Sequence, residues 1–142
     1  MSGEFIDSNV FVYLFDETNP GKQKIAESLV HRLLASGTGR ISFQVVQETI
    51  NVITRKFASP ASADDARRFL DNVLAPLWRI MPSPALYHRG LDIKSRYGYS
   101  FYDALIAAAA LEAGCTRLYS EDLQHGQKIE GLAIEDPFRS GK

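Results

Sequence analysis

Four carboxylates stand where the pattern of the chain changes. Asp7 directly follows Phe5-Ile6, Glu48 lies in Gln44-Val45-Val46-Gln47-Glu48, Asp103 in Ser100-Phe101-Tyr102-Asp103, and Asp122 in Ser120-Glu121-Asp122. If the fold brings them into one pocket, like charges must be reconciled. Two carboxylates about 5 Å apart repel by about 3 kcal/mol at an effective dielectric near 20. Several such pairs would outweigh a domain's net stability of roughly 5–15 kcal/mol. The group is then partly protonated or neutralised by a cation. An all-oxygen ligand set suits a hard divalent ion, Mg²⁺ or Mn²⁺, better than zinc or copper. The single cysteine, Cys115, excludes an internal disulfide framework and a Cys-rich zinc site.

Each acid alone has a plainer reading. Asp7 can simply cap a helix. Asp103 can be the third-position partner of a capping Ser100, at the positive end of its helix. Glu48 can be a solvated helix residue and Asp122 a turn residue. Their neighbours weigh against this. Asp103 is followed by Ala104-Leu105-Ile106-Ala107-Ala108-Ala109-Ala110, a helix apolar nearly all round. Asp7 sits between Phe5-Ile6 and Val10-Phe11-Val12. Charges embedded in apolar sequence are hard to dismiss as solvated.

The elements that must position these acids alternate. Glu4–Ile6 reads as a short strand, and Asp7 or Ser8 caps a short apolar helix, Val10–Phe15. Asn19-Pro20-Gly21 is a turn signal. Ile25, Leu29, Leu33 and Leu34 then share a helical face up to Ala35, and Gly37-Thr38-Gly39 ends that helix. Arg40–Phe43 is a second strand and Gln44–Phe57 a helix. Ser62, with Asp65 three residues on, opens a helix to about Leu74, which Pro76 stops. Leu77–Met81 is a third strand. Ser83-Pro84 opens a helix to about Tyr97, closed by Gly98. Ser100 caps Phe101–Ala113, closed by Gly114. Thr116–Tyr119 is a fourth strand, 121–127 is irregular, and a weak fifth strand lies near Leu132–Ile134. This order predicts an α/β fold, with a mainly parallel sheet of four or five strands wrapped by helices. Ligands in such sheets sit beyond the carboxyl ends of the strands, where the acids fall.

Composition agrees with one globular domain over 1–142. The chain is 45% hydrophobic and 23% charged, with 8 Phe, 6 Tyr and 1 Trp for a core. Its formal charge is −1, which argues against non-specific coating of nucleic acid. The charge is uneven: residues 55–96 hold eight basic and four acidic side chains, so the middle carries +4 and the two ends together −5. The acidic start, Met1-Ser2-Gly3-Glu4-Phe5, is unlike a signal peptide. The run Ala104–Leu111 is too short to span a bilayer. A cytoplasmic protein without a membrane association is expected.

The ordered set Phe5-Ile6-Asp7-Ser8-Asn9-Val10, Gln44 to Val52, Ser100 to Ile106 with its alanine-rich continuation, and Leu118-Tyr119-Ser120-Glu121-Asp122-Leu123-Gln124-His125-Gly126 resembles the PIN domains. Among these it is most similar to the VapC-type toxin ribonucleases of bacterial toxin–antitoxin pairs. The resemblance spans almost the whole chain. It implies a three-layer α/β/α fold in which Asp7, Glu48, Asp103 and Asp122 form an acidic Mg²⁺ or Mn²⁺ site that cleaves RNA. It also implies a cognate antitoxin and a homodimer. Ser120 then matches a hydroxyl residue that hydrogen-bonds within the site, and Asn9 a polar neighbour of the first acid. Arg55 and Lys56, about two helical turns past Glu48, are candidates for contacting RNA phosphates, with ordinary solvated surface as the plainer reading. His125 invites a general-acid role, but a loop-shaping role is favoured because the resemblance supplies no catalytic histidine. An aspartyl phosphatase would need a second Asp where Asn9 stands. A phospho-receiver would need an acceptor Asp where the third strand ends in Met81-Pro82. The remaining alternative is a catalytically silent PIN-like module that acts through a protein partner.

Overall fold

The computed structural model describes residues 2–139. Its first strand, β1 (Gly3–Ile6), shows why the sheet is covered on both faces. Phe5 and Ile6 point to opposite sides, and neither has exposed surface. β2 (Gly39–Ser42), β3 (Trp78–Ile80), β4 (Cys115–Tyr119), β5 (Lys128–Ile129) and β6 (Leu132–Glu135) complete a sheet in the order β3-β2-β1-β4-β6-β5. All pairings are parallel except β5 with β6.

This order fixes where a site can form. The chain adds β2 and β3 on one side of β1, then returns to add β4 and β6 on the other. Growth reverses between β1 and β4, and ligands of open α/β sheets bind beyond the carboxyl ends of the strands at such a reversal. Ile6 pairs with Tyr119 at those ends, so the residues that follow there are Asp7 and Ser120.

Helices α1 (Ser8–Tyr13), α2 (Pro20–Ser36), α3 (Phe43–Ile53), α4 (Ala63–Phe69), the three-residue α5 (Ala75–Leu77), α6 (Pro84–Tyr97) and α7 (Phe101–Glu112) complete the three-layer α/β/α architecture. Every residue of α7 from Ala104 to Ala110 is buried, and the helix packs on α6, β4 and β2. Short alanine side chains permit that approach. Gly90 of α6 assists, because a Cβ there would lie 3.3 Å from Leu105 Cδ1. Gly39 is tighter still. A Cβ at that position would sit 2.7 Å from Leu77 Cδ2 and 3.0 Å from Leu33 Cβ, both in the core. Gly39→Ala is therefore expected to overpack the core and lower unfolding stability by about 1–3 kcal/mol. Urea denaturation measures this, and an unchanged midpoint would contradict the packing described.

Several boundaries differ from the sequence reading, each for a local reason. Asn19-Pro20 is the start of α2: the Asn19 side chain accepts from Lys22 N–H and Pro20 takes the first helical position, where its missing N–H is harmless. α3 ends at Ile53 and not at Phe57, because Ala61 N–H returns to bond the Ile53 carbonyl at 2.8 Å. The Ser62–Asp65 capping box forms as read. Pro76 does not stop that segment. The chain passes from α4 through one π-helical turn, Leu70–Leu74, into α5, with Pro76 in its first turn. β3 is shorter than Leu77–Met81, and Met81 is exposed. The sheet has six strands, not four or five: β5, only two residues long, turns into β6 through Glu130, whose φ is +55°.

Candidate active site

β1 delivers Asp7 to the point of reversal, and Asp7 N–H donates to the Tyr119 carbonyl at 2.9 Å, extending the strand pairing by one bond. Asp7 is also the cap of α1, its Oδ1 accepting from Ser8 N–H at 2.7 Å. The plain capping reading thus describes one oxygen. The other, Oδ2, accepts from the Ser120 hydroxyl at 2.7 Å. Ser120 is fully buried, and its Oγ in turn accepts from Asp122 N–H at 3.2 Å and Leu123 N–H at 3.3 Å. One hydroxyl therefore anchors the first acid and folds the loop that carries the last.

Asn9 joins the same two acids. Its Nδ2 lies 3.4 Å from Asp7 Oδ2 and 3.2 Å from Asp122 Oδ2, and its Oδ1 accepts from Glu121 N–H at 3.1 Å. On the other side, the Ser8 hydroxyl donates to Glu48 Oε1 at 2.9 Å. Gln44 Nε2 donates to Glu48 Oε2 at 3.0 Å and to the Tyr102 carbonyl at 3.1 Å. That last bond ties α3 to the first turn of α7, where Asp103 N–H is capped by Ser100 Oγ at 3.2 Å.

The charges of Glu48 and Asp122 both act on Asp7. Burial pushes the Asp7 carboxyl up to about 7, against the lowering effect of its bonds from Ser120 and Ser8, and the charges of Glu48 and Asp122 push it further. Asp103 stands one link away, joined to the cluster through the Tyr102 carbonyl and Gln44. Among the described residues no three acidic, His or Cys side chains converge closely enough to ligate an ion, and the Asn9 amide lies between Asp7 and Asp122. The donor set still fits a hard divalent cation. It is all oxygen, and a buried carboxyl raised to about 7 beside two others is the electrostatic strain such an ion relieves.

The sequence reading named Ser120 and Asn9 but missed Gln44 and Ser8. The spacing of Gln44 and Glu48 by four residues, on one helical face, was the available signal. It also missed the buckle on Glu121, whose carboxylate receives the Tyr13 hydroxyl at 2.7 Å and the Lys22 ammonium. This buckle holds the Asp122 loop against α1 and α2. His125 Nδ1 accepts from Asp136 N–H at 3.1 Å, a loop-shaping bond. Arg55 and Lys56 are exposed in the turn beyond α3, so they are not on the helix that carries Glu48. A large cleft lies elsewhere, between Phe15, Phe57 and Phe69, and contains none of the four acids.

Comparison with known proteins agrees with this architecture. Among solved structures, a toxin–antitoxin complex from Klebsiella pneumoniae superposes with a TM-score of 0.70 at 16% identity, over 95% of this chain and 98% of that one. VapC20 of Mycobacterium tuberculosis, described as a sarcin–ricin loop cleaving toxin, gives 0.62 at 21% identity over 84% and 90%. VapBC2 of Rickettsia felis, bound to a DNA fragment from its promoter, gives 0.64 at 17% identity over 93% and 96%. At these identities the likeness is one of fold. No curated protein sequence matches the chain. The PIN domain family model matches residues 5–128, nearly the whole of the described fold, and the chain belongs to that family.

Proposed function

We propose that the chain is a divalent-metal-dependent endoribonuclease that hydrolyses RNA phosphodiester bonds as the toxin of a toxin–antitoxin pair. The observation that carries this reading is the buried Asp7 at the sheet reversal, with the charges of Glu48 and Asp122 acting on it. Asp7, Asp103 and Asp122 would hold Mg²⁺ or Mn²⁺, directly or through water. When bound, the ion acidifies water and offsets charge on the phosphate oxygens. Glu48, gripped by Ser8 and Gln44, orients the attacking water and takes its proton. Ser120 and Asn9 hold Asp7 and Asp122 in register. Arg55 and Lys56 are offered to phosphates flanking the cut. The solved neighbours include complexes of toxin with antitoxin, which supports a cognate antitoxin as the protein partner. A homodimer in the cytoplasm completes the reading. Among the described residues no helix is long and apolar enough to cross a membrane.

The alternative is a catalytically silent module that acts through its partner. On its side stands the Asn9 amide between Asp7 and Asp122, with no three acids converged among the described residues. One experiment separates the two. Purified protein is incubated with total RNA in Mg²⁺ or Mn²⁺, with and without EDTA. Discrete fragments that vanish on chelation are expected. Intact RNA under every metal condition, from protein freed of any co-purifying partner, would favour the silent module.

A further inference from the structure

Tyr102 is the most exposed large hydrophobic side chain among the described residues, at 66%. It projects from the first turn of α7, whose residues Ala104–Ala110 are all buried. Its ring is not a loose one. Phe101 packs edge-on against it, with centroids 5.6 Å apart and planes at 68°, and Tyr87 of α6 stacks on Phe101 at 6.3 Å and 23°. The Tyr102 backbone is pinned as well, because its carbonyl accepts from Gln44, which also holds Glu48. Asp103 is the next residue, its Cα about 3.8 Å along the chain. An outward-facing aromatic surface therefore stands next to Asp103 in the chain, on a backbone tied to the residue that holds Glu48.

We propose that the Tyr102 ring, backed by Phe101 and Tyr87, is the platform on which an unpaired base of the RNA stacks beside the phosphate to be cut. This rests on the ribonuclease reading and adds to it the side chain that would meet a base next to the cut. A base within a duplex is already stacked on both faces. A base in a loop or single strand has a free π-face, and an aromatic side chain takes it with little regard to sequence. The ring's place, one residue from Asp103 and one hydrogen-bonding residue from Glu48, favours a base over a second copy of the chain. Arg55 and Lys56, exposed and without an ion pair among the described residues, add positive charge suited to a backbone.

The test compares wild type with Tyr102→Ala, Tyr102→Phe and Tyr102→Trp. Two probes are used: a stem–loop RNA carrying 2-aminopurine in its loop, and a fully paired duplex of the same composition. Binding is read by 2-aminopurine quenching with Ca²⁺ in place of Mg²⁺, and cleavage of the stem–loop is read in Mg²⁺. Tyr102→Ala is expected to weaken stem–loop binding about tenfold or more, abolish the quenching and raise KM with kcat nearly unchanged. The Phe and Trp variants should stay within about threefold of wild type, and duplex binding should move less than about twofold throughout. Because the side chain is exposed, thermal unfolding of the Ala variant should match wild type. If wild type cuts the stem–loop and Tyr102→Ala binds and cuts it equally well, the stacking role falls and the ribonuclease reading stands. If wild type neither binds nor cuts RNA, both fall. If Tyr102→Ala instead halves the mass seen by light scattering while wild type shows no quenching, the ring is a contact between copies and the proposal is overturned.

Discussion

Asp7→Asn is expected to lower RNA cleavage by at least about a thousandfold while making the metal-free protein harder to unfold at pH 8. The two effects share one cause. Asp7 is buried, and its folded-state carboxyl titrates at about 7, well above the ordinary 3.8, because burial and the Glu48 and Asp122 charges disfavour its ionised form. The folded protein therefore binds this proton more tightly than the unfolded chain does. Stability from Asp7 is fully present below about pH 4 and is lost as pH rises through about 7. At pH 8 the ionised side chain opposes folding by an amount on the order of 4 kcal/mol, an upper figure for one carboxyl. Asparagine keeps the shape and the bond from Ser8 N–H but carries no charge, so it recovers a large part of this. It also removes the anionic oxygens that a divalent ion requires. Chemical denaturation in EDTA at pH 8 and pH 4 checks the sign: a gain for the variant at pH 8 that disappears at pH 4. An equal or lower stability at pH 8 would show that Asp7 is not held under strain.

Ser120→Ala is expected to act in the opposite direction on stability, lowering it by about 2–4 kcal/mol. The hydroxyl is fully buried, donates to Asp7 and accepts from the N–H groups of Asp122 and Leu123. Its loss strips a donor from a buried carboxylate and leaves two backbone donors without their acceptor, at about 1–3 kcal/mol for each unsatisfied group that water cannot reach. The Ser120 bond favours the ionised form of Asp7, so its removal raises that carboxyl further. Cleavage by the variant should then show an acid limb displaced to higher pH than wild type, together with a lower maximum. A pH–rate profile measures both, and thermal unfolding measures the loss of stability. An unmoved acid limb would separate Ser120 from Asp7.

These opposite signs mark what a sequence can and cannot convey. Asp7 and Ser120 were legible because each directly follows a buried strand, and parallel strands announce themselves as continuous apolar runs such as Phe5-Ile6 and Leu118-Tyr119. The helix of Asp103 was legible for a similar reason: Ser100 caps it and seven consecutive buried residues follow from Ala104. The early end of α3 was not, since it depends on Ala61 N–H returning to Ile53, a contact that no local pattern encodes. That shift takes Arg55 and Lys56 off the helix of Glu48. Gln44 was half-hidden for a related reason. Its spacing of four from Glu48 hints at that pair, but only the packing of α7 reveals that its amide also reaches the Tyr102 carbonyl. The two residues of β5 are too few to show a period of two.

The Glu121 buckle illustrates a further limit. Tyr13, Lys22 and Glu121 come from three segments, and nothing in their types marks them as partners. Together they press the loop of Asp122 toward α1, where Asn9 meets it. Asn9 then lies between the carboxylates of Asp7 and Asp122. Asp7 and Asp122 would both help to hold a divalent ion there, and the Asn9 carbonyl fixes the loop that carries Asp122 through Glu121 N–H.

The most direct test is a crystal soaked in Mn²⁺ and measured at the manganese absorption edge. An anomalous peak is expected beyond the carboxyl ends of β1 and β4, about 2.0–2.3 Å from an Asp7 oxygen, with Asp122 and Asp103 turned toward it directly or through water. A saturated crystal whose only manganese lies away from Asp7, or that holds none even with an RNA fragment bound, would contradict a metal centre built on that acid.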